Sequence, residues 1–240
     1  MANTTRIAIL GDTETAAQVA DALTTAGAQA VADVAEADIV LSVTTPLLAL
    51  KTAREAVDGL ATGAVYVDAS GGTPATARAL AEVFSQGLFA DAAFAGGEPL
   101  ALALAVSGSG AARAAELLEP FVTAEVISDV PGQASARVVL RSILDNAMAA
   151  VLVDTLWAAE SVSQAKWMHE EILREFDSNT AATAQALLAD TSVNFKRRQM
   201  DMQDVVELLS ESGYESTMLA PIQFTHGRIM HSKKIPFAKG

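Results

Sequence analysis

Ile7-Ala8-Ile9-Leu10-Gly11-Asp12-Thr13-Glu14-Thr15-Ala16 is the stretch on which the fold turns. A short apolar run, Arg6–Leu10, meets a glycine and then an alanine-rich helical segment, Thr15–Thr25. A strand that passes through glycine into a helix leaves backbone N–H groups where an anion is attracted. A dinucleotide-binding turn carries glycine at its first, third and sixth positions: the turn is tight, the backbone approaches the pyrophosphate, and helix packs closely on strand. Here those positions are Gly11, Thr13 and Ala16. Ala16 suits the packing, whereas Thr13 brings a side chain to the point of closest phosphate approach and Asp12 adds a negative charge. The same residues also read as an ordinary turn in which Asp12 and Thr13 cap the helix.

Outward from this stretch the alternation continues. Strands are predicted at Asp38–Val43, Ala64–Asp68, Leu88–Ala92, Ala101–Ser107 and Ala124–Ile127, with helices at Leu47–Leu60, Pro74–Phe84 and Ala111–Phe121. That order predicts an α/β domain with a Rossmann-like parallel sheet. About ten residues separate Gly27 from the strand near Asp38, fewer than a parallel crossover requires, so the sheet is truncated around its second strand. The acidic residue expected about 20 positions after the glycine turn is Asp33. No Lys or Arg lies between Arg6 and Lys51 to neutralise a 2′-phosphate, which favours NAD over NADP.

From Gln133 the pattern changes. Val138, Val139, Ile143, Leu144, Ala147, Met148, Val151, Leu152, Leu156 and Trp157 keep helical spacing for about 26 residues, or roughly 39 Å. A helix apolar nearly all round is normally buried, so it is expected to run through the centre of a second domain or into a partner subunit. Helices are predicted at Val162–Phe176, Asn179–Leu188 and Ser192–Ser212, the last closed by Gly213, and the tail Ser232–Gly240 reads as solvated. Residues 1–132 carry 5 basic against 16 acidic residues and 133–240 carry 11 against 13, a second sign of two domains, 1–132 and an all-α 133–240.

Composition narrows the function. A net charge of −13 over 240 residues disfavours nucleic acid and anionic lipid. The absence of cysteine removes disulfides, thiolate chemistry and Cys-based zinc sites, and no metal-ligand spacing is present. No signal peptide or membrane span is indicated, and a cytoplasmic protein is expected. Two more loops are predicted at the carboxyl edge of the sheet, where ligands of such folds bind: Thr44-Thr45-Pro46 and Ser70-Gly71-Gly72-Thr73-Pro74. Their hydroxyls and glycines suit phosphate or ribose contacts and equally suit helix caps. The segment Phe89–Pro99 ends a strand with Gly96-Gly97.

The order of these motifs resembles the 3-hydroxyacid dehydrogenase and 6-phosphogluconate dehydrogenase superfamily, which includes the imine reductases. Asp91–Gly97 is similar to its substrate loop, Leu104–Gly110 to the segment that follows, and Gly132–Ser142 to the start of its interdomain helix. His169-Glu170, Phe176-Asp177-Ser178 and Arg197-Arg198-Gln199-Met200 through Met218 extend the likeness to the branch with an NAD-binding phosphogluconate dehydrogenase-like C-terminal domain. The resemblance implies a Rossmann-like domain, a long connecting helix, an all-helical domain, an interlocked homodimer, and hydride transfer between NAD or NADP and a small hydroxyacid, carbonyl compound or imine. It implies cofactor contacts at Gly11, Asp12, Thr13, Glu14, Thr15, Thr44, Thr45, Pro46 and Ser70, and substrate contacts at Ala95, Gly96, Gly97 and Val138. The family's substrate-loop serine corresponds to Ala95 and its catalytic lysine to Val138, which cannot move a proton. One turn on, Arg141, Ser142 and Asp145 are candidates to polarise a carbonyl or relay a proton, and His226, followed by Arg228, is the side chain best suited to titrate near neutrality. The alternative is a dimeric binding or regulatory protein that keeps the scaffold without the chemistry.

Overall fold

The computed structural model describes residues 5–11, 13–85, 88–94, 103–178, 180–231 and 235. The chain divides into two compact units, Met1–Ile143 and Leu144–Gly240.

Unit 1 is built on a seven-stranded sheet: β1 (Arg6–Leu10), β2 (Gln29–Ala30), β3 (Ile39–Ser42), β4 (Val65–Asp68), β5 (Leu88–Phe94), β6 (Ala103–Ser107) and β7 (Thr123–Ser128). Their order is β2-β1-β3-β4-β5-β6-β7. All neighbours are parallel except β5 and β6. Helices α1 (Glu14–Thr25), α2 (Ala49–Ala56), α3 (Pro74–Val83) and α4 (Ala111–Leu118) connect them. The pleat sends Ile7, Ile39, Leu41, Val65 and Val67 into one core and Ala8, Val40, Tyr66 and Phe89 into another. Burial on both faces is why these strands read as short continuous apolar runs.

The truncation expected at the second strand is present. β2 has two exposed residues, paired only with Arg6 and Ile7, and a single 3-10 turn at Val34–Glu36 stands where a crossover helix would be. Asp33 caps that turn: its carboxylate accepts from the Ala35 N–H at 2.9 Å.

Helix α5 (Gln133–Ser161) crosses the boundary between the units. Unit 2 continues with α6 (Ala165–Ser178), α7 (Ala181–Ser212) and α8 (Leu219–Met230). The two helices expected over 179–212 form one, kinked at Asn194 (φ −103°, ψ 19°) and closed by Gly213 at φ 73°. α8 was not foreseen. Within the single chain Leu140, Ile143 and Leu144 of α5 are 65%, 62% and 54% exposed, which does not match a helix running through the centre of a second domain. Among the described residues no helix is long and apolar enough to cross a membrane, and no group of three or more His, Cys, Asp or Glu side chains could hold a metal ion.

Candidate functional site

The β1–α1 turn is tight for a reason that can be measured. Gly11 has φ +144°, and a Cβ there would stand 2.5 Å from the carbonyl oxygen of Val43. Thr13 is the N-cap of α1: its Oγ1 accepts from the Ala16 N–H at 3.0 Å and donates to the Val43 carbonyl at 3.1 Å. The methyl-sized Ala16 is buried beneath. The threonine that replaces the usual glycine is therefore folded back onto the scaffold, and the capping reading of Thr13 holds. Glu14 and Thr15 supply the first N–H groups of α1, which no preceding intrahelical carbonyl can reach. The turn thus presents the start of α1 to an anion, although two of the fingerprint's three glycines are absent, replaced by Thr13 and Ala16.

Thr44 and Ser70 follow β3 and β4, the next two strands across, so the loops after β1, β3 and β4 lie side by side. Thr44 and Ser70 are buried, while Thr45 and Pro46 are exposed. Leu47, just beyond, is 93% exposed.

Beneath these loops the register assembles a polar row that the sequence reading missed. Ser42 pairs with Asp68, Asp68 with Asp91, Asp91 with Ser107, and Ser107 with Ser128. The first four are at most 3% exposed. The two carboxyls have unequal surroundings. Asp91 Oδ2 accepts from Ser107 Oγ, the Gly132 N–H and the Ser135 N–H, each at 3.0 Å, and Oδ1 accepts from Ser135 Oγ at 2.5 Å. Ser107 Oγ also accepts from the Ala134 N–H at 3.0 Å. Two side chains of the sheet thus cap the first turn of α5, a placement that also favours a negative charge.

Asp68 receives one clear hydrogen bond, from Ser70 Oγ to Oδ2 at 2.8 Å. Burial raises its pKa to about 6, with Ser70 opposing the rise and Asp91 adding to it. Burial also raises the Tyr66 phenol. Ser42 stands close enough to both Tyr66 and Asp68 to lower the pKa of each, yet neither approach has full hydrogen-bond geometry. Ser42 Oγ, Tyr66 OH and Asp68 Oδ1 are accordingly buried without a partner among the described residues. One signal could have revealed this row: the runs Ile39–Ser42, Val65–Asp68 and Ala103–Ser107 each end in a serine or aspartate after apolar residues.

The other sequence candidates are dispersed. Asp12, Ala95, Gly96 and Gly97 lie outside the described residues, as does most of the tail Ser232–Gly240. Val138 is half-buried on α5, one turn beyond Ser135, and Arg141, Ser142 and Asp145 follow as exposed residues of the same helix. Each of those three has an interaction partner. His226 is on α8 in unit 2. Burial, and then the charge of Arg198, lower its pKa, and its Nδ1 is buried without a partner among the described residues. Unit 2 also holds an apolar pocket, open on one side, of about 390 Å³ lined by Trp167, Met168, Met202, Leu209 and Met218. Asp154 at its wall accepts from Tyr214 OH, Ser216 Oγ, the Thr217 N–H and Thr217 Oγ1; burial alone would raise its pKa, and these donors together hold it below the ordinary value.

Comparison with known proteins supplies the context. No family model matches the chain. An uncharacterised 28.5 kDa protein of Methanothermus fervidus, in the 5′ region of 7S RNA, is 31% identical over 130 residues, 54% of this chain and 51% of that protein. The chain therefore spans about half the length of the curated relative it matches. The conserved protein MTH1747, of unknown function and described as structurally similar to 3-hydroxyacid dehydrogenases, aligns over 94% of this chain and 97% of its own, at 24% identity and a TM-score of 0.59. An imine reductase from Aspergillus terreus, in complex with NADPH4, aligns over 95% of this chain and 94% of its own, at 14% identity and a TM-score of 0.73. Across nearly its whole length, then, the chain has the fold shared by 3-hydroxyacid dehydrogenase-like proteins and imine reductases.

Proposed function

We propose that the protein is a nicotinamide-dependent oxidoreductase that transfers hydride to or from a small carbonyl, hydroxyacid or imine compound. The observation that carries this reading is the β1–α1 turn, where Gly11 lies against the Val43 carbonyl and the Thr13 side chain is folded away from the phosphate approach. Gly11, Thr13, Glu14 and Thr15 would hold the pyrophosphate, and Thr44, Thr45, Pro46 and Ser70 border the path of the cofactor toward β4. The acidic first domain, with no Lys or Arg between Arg6 and Lys51 to meet a 2′-phosphate, and Asp33, three residues beyond the short β2, favour NAD over NADP. The A. terreus imine reductase with its nicotinamide cofactor supports the same assignment by likeness of fold.

Calorimetric titration with NADH and NADPH tests this reading. Saturable micromolar binding is expected, abolished by Thr13→Arg and retained by Thr13→Ser, which keeps the capping hydroxyl. Absence of heat at millimolar cofactor would refute it. Val138 motivates a second reading, a dimeric binding protein without turnover; cofactor binding with no oxidation of NAD(P)H by any carbonyl or imine compound would favour that one.

A further inference from the structure

We propose that Asp68 stores the proton consumed in reduction and that Ser70 delivers it to the substrate, in place of the side chain that Val138 lacks. This inference rests on the nicotinamide reading above. Asp68 is buried at the end of β4, and Ser70 lies two residues later, where β4 passes into its loop. They touch at 2.8 Å.

The geometry of the polar row divides the work between two neighbouring carboxyls. Two carboxyls close together in a medium of low dielectric cannot both ionise cheaply. Asp91 is met by four donors, two of them backbone N–H groups that can only donate. Asp68 has a single clear donor and one oxygen without a partner. The proton therefore belongs on Asp68. The groups that face it are consistent with this. β3 contributes the hydroxyl of Ser42, β5 the carboxylate of Asp91, and its own strand the phenol of Tyr66, while α2 and α3 line this face with Ala49, Ala53, Leu80 and Phe84. Its elevated pKa follows from that setting.

The contact works in both protonation states. With Asp68 ionised, Ser70 donates to it; with Asp68 protonated, the same contact reverses and the Ser70 hydroxyl hydrogen is turned toward the loop edge. A bound dihydronicotinamide would supply the hydride and be left oxidised. As the carbon of a C=N group receives that electron pair, its π pair moves to nitrogen. The Ser70 O–H bond then breaks as N–H forms, and the Asp68 O–H bond breaks to restore the serine hydroxyl. Asp68 remains as carboxylate and recovers a proton from water. Asp68 acts through Ser70 and is a positioning and supply residue.

Two measurements on the full chain test the proposal. Difference infrared titration without cofactor is expected to show a buried carboxylic-acid C=O band that fades as pH rises through about 6, is absent in Asp68→Asn and is shifted in Ser70→Ala. Turnover is then followed by NADH oxidation with the cyclic imine methylpyrroline. Asp68→Asn should lower kcat by about 10²-fold with NADH affinity unchanged, Ser70→Ala should lower kcat to a similar extent, and Ser70→Thr should restore it. In the wild type kcat should fall above about pH 6, and this limb should vanish in Asp68→Asn. A missing infrared band, an unchanged pH profile in Asp68→Asn, or NADH binding without imine turnover would overturn the proposal and leave the cofactor assignment standing. Failure of the wild type to bind either NADH or NADPH would instead overturn the cofactor assignment, and with it this use of the proton, while the infrared titration still reported on Asp68.

Discussion

Gly11 illustrates how one residue type can be dictated by two independent constraints. Its φ of +144° disfavours any L side chain, and the Val43 carbonyl occupies the space a Cβ would need. Gly11→Ala should destabilise unit 1 by about 1–3 kcal/mol or more, measured by urea denaturation. Asp68 gives a prediction of opposite character, because its contribution changes with pH. Its folded pKa, about 6, exceeds the ordinary 3.8, so the stability linked to its proton is complete below the unfolded value and is lost as pH rises through about 6. Removing the charge should help above that window. Asp68→Asn should therefore gain stability relative to the wild type between acid and mildly alkaline pH by up to roughly 3 kcal/mol, read from paired urea melts. Gly11 could be identified from sequence because strand, glycine and helix are contiguous. The pairing of Asp68 with Asp91 could not, since they are 23 positions apart and become neighbours only through the register of β4 on β5.

Among the elements, α5 depends most on another part of the chain. The N–H groups of Gly132, Ala134 and Ser135 at its start are satisfied by Asp91 and Ser107, contributed by two strands of the sheet. Asp91→Ala would leave several buried donors unmatched at about 1–3 kcal/mol each. Hydrogen exchange should show the first turn of α5 losing protection while α1 keeps its own. The short strands were legible because β-branched and apolar runs bounded by glycine have few other readings, and the truncation at β2 followed from chain length alone. The helical half was less legible. α7 runs on through 189–191, where a break is expected, and kinks instead at Asn194, inside the second expected helix; around the kink Asn194 Nδ2 donates to Asp190 at 2.6 Å and Arg198 pairs with the same carboxylate. α8, with only 12 residues and both a proline and a glycine, presents a weak periodic signal.

For the molecule as a whole, the exposed apolar residues of α5 are the dominant feature. Leu140, Ile143, Leu144, Met148 and Trp157 are all more than 40% exposed along one helix, an arrangement that calls for a partner surface. We propose a homodimer that covers them. Light scattering should give twice the 24.9 kDa chain mass, and the triple change Leu140→Glu, Ile143→Glu, Leu144→Glu should give the monomer mass with far-ultraviolet circular dichroism retained; a monomeric wild type at micromolar concentration would refute the dimer.

The two-residue β2 has a different consequence. Sheet edges are where chains template one another into aggregates, and short or charged edge strands prevent it. Here one border of the sheet ends in two paired residues, and the other, β7, carries Glu125 ion-paired with Arg137 at 2.7 Å. Neither border offers a long, flat, uncharged ladder to a second copy. A crowded solution of this protein should therefore resist strand-to-strand growth into fibrils, and lengthening β2 with β-branched residues would be the change that removes the safeguard.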